Sequence, residues 1–135
     1  RGVLSGITRD TSPKEIVRAI IESVAYQTYD LFEAMKHDGL KPRLVKVDGG
    51  MVMNNWFSQF LSDIVDVGVL RPKVQETTAL GAAFMAGLQV GIYKSLKDIS
   101  KKWSLDRRFR PKMTKPNRSN LLKGWSKAVR RTLIN

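Results

Sequence analysis

No cysteine occurs in the 135 residues, and there is a single histidine. The first absence excludes disulfides and thiolate metal sites. Together they leave no Cys-His pair to build. The lone His37 falls at an expected helix end, where the helix dipole favours a cation, and it is assigned no metal and no catalytic triad. No run of about 18 apolar residues is present, so no membrane-spanning helix is expected. The start, Arg1-Gly2-Val3-Leu4-Ser5, is too short an apolar stretch for a secretory signal and has no initiator Met. A chain cut from a longer one, resident in the cytoplasm, is expected. Two phosphate-binding signatures, G-x-x-x-x-G-K-[ST] and G-x-G-x-x-G, are also missing.

Acids are scarce in one region only. The formal net charge is +12, and residues 101–135 hold twelve Lys and Arg against one acid, Asp106. Residues 1–100 are nearly neutral. A basic tail of this kind reads first as a solvated surface. Binding of nucleic acid is not expected, because the Trp and Phe side chains fall in apolar stripes rather than among the tail's charges.

What is present is an alternation of apolar periods. Val3-Leu4-Ser5-Gly6-Ile7 reads as a strand running into a loop. Ser12, Pro13 and Glu15 form a helix start, with Ser12 as cap and Glu15 reaching back. A stripe of Ile16, Ile20, Val24, Leu31 and Met35, with Ala19 and Gln27, predicts a buried helix face. Gly39 is the expected left-handed stop. Residues 43–48 read as a strand, ended by Gly49-Gly50. Trp56, Phe57, Phe60, Leu61, Ile64 and Val65 then recur at helical spacing, with Asn54 or Asn55 as cap. Residues 67–70 form another strand. Thr77 or Thr78 caps a helix over residues 79–88, apolar almost all round and therefore expected to be buried. Residues 96–99 suggest a short helix, and residues 104–117 a polar surface connection. Leu121, Leu122, Trp125, Ala128, Val129 and Leu133 make a last amphipathic helix. The class is α/β, a sheet covered by helices.

The segment Val47-Asp48-Gly49-Gly50-Met51-Val52-Met53-Asn54 carries the chemistry. Two glycines between a strand and a helix let a ligand approach the backbone. A helix start offers N–H groups to phosphate. Asn54 has both a donor and an acceptor for a purine edge or ribose hydroxyl. Asp48 reads as a turn cap rather than a reacting acid.

Three segments resemble the FGGY family of carbohydrate kinases. Residues 2–7 with Glu15-Ile16 and Ala19-Ile20-Ile21-Glu22 look like its second signature. Asp48-Gly49-Gly50 with Asn54 looks like its adenine-nucleotide loop, and residues 76–83 like its glycine-rich helix. Residues 22–28, Arg71-Pro72, Phe109-Arg110-Pro111 and residues 124–129 look most like the members acting on glycerol, with pentose kinases of the xylulose type as the alternative. The resemblance implies the C-terminal part of an actin-like, ribonuclease-H-like ATPase domain over residues 1–100. Residues 101–135 would be its basic helical tail. It implies ATP/ADP with Mg²⁺, glycerol as co-substrate, and a homo-oligomer. It carries Gly49, Gly50, Met51 and Asn54 over as nucleotide contacts. It places no catalytic residue here, since the family's base and polyol site lie upstream. An isolated segment is expected to be inactive.

Overall fold

Ser12 starts the first helix, α1 (Pro13–His37), by two reciprocal bonds. Its hydroxyl accepts from the Lys14 N–H at 3.3 Å, and its own N–H donates to Glu15 Oε2 at 2.9 Å. The Ser12 hydroxyl also donates to the Glu15 carboxylate. That bond first, then the backbone N–H groups, holds the Glu15 carboxyl below its ordinary 4.5. A depressed carboxyl stabilises the fold fully above its unfolded value and loses that contribution as pH falls through the folded one. Ser12→Ala is expected to cost about 1 kcal/mol at neutral pH in a denaturant titration. The deficit should shrink in acid, where the wild-type box also opens. The other end of α1 closes as expected. Gly39 has φ 85°, its N–H donates to the Lys36 carbonyl, and the Leu40 N–H donates to that of Met35.

The computed structural model describes residues 2–133. After α1 come β1 (Leu44–Lys46), a single 3₁₀ turn (Gly50–Met53), α2 (Asn55–Val65), β2 (Gly68–Pro72), α3 (Thr77–Gln89), α4 (Leu96–Ser100), β3 (Leu105–Phe109) and α5 (Lys115–Leu133). The sheet has the order β1-β2-β3. β1 and β2 are parallel, with Val45 opposite Val69. β3 runs antiparallel to β2, with Phe109 opposite Val69 and an irregularity at Arg71/Pro72.

The core centres on α2. Phe57, Phe60, Leu61, Ile64 and Val65 are buried against Val69, Phe109 and the α1 residues Ala25, Tyr26 and Phe32. Leu121, Leu122 and Trp125 of α5 close its edge. The Tyr26 ring stacks on Trp125 at 5.4 Å and meets Phe60 edge-on at 5.7 Å. Trp125 Nε1 donates to Asp30 at 2.7 Å, which fixes α5 on α1. Polar groups of α2 stitch down the segment after β3. Asp63 Oδ1 accepts from the Lys112 and Met113 N–H groups, and Gln59 Nε2 donates to the Arg110 carbonyl.

Four expectations are corrected. Residues 3–7 form no strand, because no strand of this sheet lies beside them to complete a ladder. The buried face of α1 is centred beside the predicted stripe, on Ile21, Ala25, Tyr26, Tyr29 and Phe32, while Val24 of the stripe also packs on the core and Ile16 and Met35 are half-buried. Ile20 and Leu31 are more than half exposed, since α2 covers only one side of a helix that is apolar over a wide arc. In α3 only Gly87 is buried, closed over by the Tyr93 ring, because no layer lies on the rest of its apolar surface among the described residues. Residues 104–117 are not simply a connection: β3 lies among them, and the last helix starts at Lys115.

Candidate functional site

The carboxyl ends of the two parallel strands meet at the glycine turn, where ligands gather in sheets of this kind. The Val47 N–H makes the last ladder bond, to the Leu70 carbonyl at 3.0 Å. The chain then swings out through Gly49, at φ 87° and ψ 173°. This backbone region is reached by glycine almost alone. Gly49 N–H donates to the Gln75 carbonyl, and Thr77 Oγ1 donates to the Asp48 carboxylate. These bonds tie the turn after β1 to the loop after β2. They also occupy Asp48, and they turn Thr77 away from the expected cap of α3, whose first turn has no side-chain cap.

Gly50, Met51, Val52 and Met53 form the 3₁₀ turn. Val52 is its buried anchor, while Gly50 and Met51 face solvent. A Cβ at Gly49 or Gly50 would meet nothing within 4 Å, so both backbones lie open to an incoming molecule. Asn54 follows, exposed, with its side chain divided between two tasks. Oδ1 accepts from the Trp56 and Phe57 N–H groups at 2.9 and 3.2 Å, capping α2. The helix start expected to offer N–H groups to phosphate therefore has two of them satisfied by Asn54. What Asn54 retains for a ligand is its amide NH₂. The four predicted residues thus stand together on one short exposed turn.

Sequence reading missed the group that braces this turn. Arg71, at the end of β2, is buried. Its Nη1 donates to the Val52 and Met53 carbonyls at 2.9 and 3.2 Å and to Asn55 Oδ1 at 3.1 Å. Its Nε donates to Asp106 of β3 at 2.6 Å. Ser58 Oγ, fully buried, also donates to the Val52 carbonyl. One guanidinium therefore locks the turn to the sheet. In the sequence Arg71 stands out only as part of the family-like Arg71-Pro72 pair, just past the strand expected over residues 67–70, with nothing to show that it reaches the turn.

A cavity of about 780 Å³ lies elsewhere, between residues 2–5, α1 and α5. Its apolar walls include none of the turn residues. Among the described residues, no cluster of three or more His, Cys, Asp and Glu is placed to hold a metal. No helix is long and apolar enough to cross a membrane.

The sequence profile of the FGGY family of carbohydrate kinases, C-terminal domain, matches residues 1–90. The chain belongs to the FGGY family of carbohydrate kinases. Glycerol kinase 1 of Pseudomonas aeruginosa is 56% identical over 131 residues, which is 97% of this chain and 26% of that protein. The glycerol kinase of Gluconobacter oxydans is 51% identical, across 98% of this chain and 26% of its own length. Among solved structures, Plasmodium falciparum glycerol kinase with ADP superimposes with a TM-score of 0.79 at 38% identity, over 96% of this chain and 26% of that one. A ligand-bound xylulose kinase from Lactobacillus acidophilus gives 0.73 at 25% identity, over 98% and 27%. The chain spans about a quarter of the length of these FGGY relatives. The fold it shares with them is α/β, of the actin-like, ribonuclease-H-like ATPase type.

Proposed function

We propose that this chain is the nucleotide-holding part of a glycerol kinase, which transfers the γ-phosphoryl group of ATP to glycerol and gives glycerol 3-phosphate. The observation that carries this reading is the open turn at Gly49-Gly50. It lies in a chain more than half identical to glycerol kinases along nearly its whole length. The pentose reading has weaker support, from a neighbour only 25% identical.

Phosphoryl transfer asks the protein mainly for positioning and charge stabilisation. The residues here serve the first need. Gly49 sets the direction of the turn, and Gly50 and Met51 present a backbone with no bulk over it. The Asn54 amide donates to the adenosine end of ATP or ADP. Arg71 keeps these groups in register from below. Mg²⁺ would neutralise the phosphates. The single carboxylate at the turn, Asp48, is engaged by Thr77 and fits no closed metal site. No general base is assigned to this chain, so the segment alone is expected to bind nucleotide weakly and not to turn over. The apolar side chains left exposed on α1 and α3 suit further contacts, to the remainder of the kinase and to a second copy in a cytoplasmic homo-oligomer.

The test is Gly50→Val in the protein at its natural length. A Cβ there meets no protein atom within 4 Å and Gly50 is exposed, so the fold should persist while the nucleotide's place is taken. The KM for ATP is expected to rise about tenfold or more, the energy of one or two lost contacts, with the KM for glycerol unchanged. An unchanged ATP KM would place the nucleotide elsewhere. Phosphorylation of a pentose but not of glycerol would move the substrate assignment to the xylulose type.

A further inference from the structure

We propose that the carboxyl end of β3 carries a second binding site, for a compact phosphate-bearing polyanion. A cavity of about 330 Å³ opens there, lined by Gln59, Arg107, Arg108, Phe109, Arg110 and Lys112 and by no residue of the glycine turn. Four cations gather around it. None of the four forms an ion pair among the described residues. Two acids lie near, and only one of them is paired with a cation. Asp106 is bonded to Arg71. Asp63, buried beneath the cavity, spends Oδ1 on the Lys112 and Met113 N–H groups and on Gln59.

The Phe109 ring sharpens this imbalance. The guanidinium of Arg71 lies 5.6 Å from its centroid and that of Arg107 lies 5.2 Å away. Two cations thus lie close to one ring, and of the two only Arg71 has a carboxylate. Four cations outnumber the one carboxylate left beside them, Asp63, and an anion bridging them offsets the excess positive charge. Guanidinium forks match phosphate oxygens in pairs. The cavity is at the small end of ligand sites, sized for a few linked phosphates rather than for a macromolecular surface. Phe109 is only 3% exposed and offers no face for a base to stack on, which argues against single-stranded nucleic acid.

The experiment uses the protein at its natural length, with inorganic pyrophosphate and tripolyphosphate as probes, titrated calorimetrically without nucleotide. Saturable binding that weakens as salt rises is expected. The double substitution Arg108→Ser/Arg110→Ser should weaken it by about tenfold or more, through lost charge-assisted bonds. Both side chains are exposed, and a thermal melt checks that the variant remains folded. Asn54→Ala, at the glycine turn, should leave the binding unchanged. No saturable binding would overturn the proposal. So would equal binding by the double variant, or binding lost in Asn54→Ala, which would put the anion on the turn. An acidic peptide that binds more tightly than tripolyphosphate with the same arginine dependence would replace the small anion with a protein partner.

Discussion

Arg71→Ala is expected to lower the stability of the fold by about 3 kcal/mol and to weaken nucleotide binding along with it. The figure follows from what the guanidinium holds. Its side chain is 8% exposed and donates to two carbonyls, a carboxamide and a carboxylate. Removing it leaves a gap beneath the 3₁₀ turn and frees Asp106. Two features keep the cost below that of a fully buried ion pair. Asp106 is 40% exposed and can be rehydrated, and the Val52 carbonyl keeps its bond from Ser58. Arg71→Lys preserves the charge but not the fork, because one ammonium cannot reach Val52, Met53, Asn55 and Asp106 together. It should recover about half the loss. Equilibrium denaturation reads both. An Arg71→Ala protein as stable as the wild type would mean that the turn is held by the chain around it.

The functional arm follows the same bonds. The Val52 and Met53 carbonyls end the turn that begins at Gly50, so their release lets Gly50 and Asn54 drift relative to β1 and β2. In the natural-length protein the ATP KM should rise in Arg71→Ala more than kcat falls, with a partial return in Arg71→Lys. A general loss of folded enzyme would lower apparent kcat alone.

Elements set by local chemistry were legible in the sequence. The Ser12–Glu15 box, the Gly39 stop and the cap expected at Asn54 or Asn55 each need only a few adjacent residues; the first two stand where the residues predict, and the cap is Asn54. Elements that depend on a neighbour were not. Residues 3–7 have strand composition and no partner strand. Leu105–Phe109 has two arginines and an acid within five residues, yet forms a strand because β2 offers it an edge. The α1 stripe held at Val24 and missed at Ile20 and Leu31: Ile20 and Ile21 are adjacent in sequence, and only the placement of α2 decides which is covered. At the site, the turn was visible because glycine pairs after a strand are a local signal. Arg71 was not, since it reaches the turn only after the chain has passed through α2 and returned along β2.

The two glycines of the turn should part company when each is replaced by alanine. Gly49→Ala is expected to cost about 2 kcal/mol of stability, although nothing crowds the new methyl. The cost is in the backbone: at φ 87° and ψ 173° a Cβ clashes with its own peptide groups. The chain must either hold that strain or reorient the turn, breaking the Gly49 N–H bond to Gln75 and moving the Asp48–Thr77 contact. Gly50 is not at positive φ and begins the 3₁₀ turn. Gly50→Ala should therefore melt within about 0.5 kcal/mol of the wild type, because alanine also restricts the unfolded chain. Its effect belongs to the ligand, whose approach the methyl obstructs. A paired measurement separates the roles, with melting for the fold and ATP KM for the site. Gly49→Ala should fail in the first and, through the displaced turn, in the second as well, whereas Gly50→Ala should fail in the second alone. If Gly49→Ala melted like the wild type and Gly50→Ala did not, the strain would lie at the other residue and the turn's geometry would have to be redrawn.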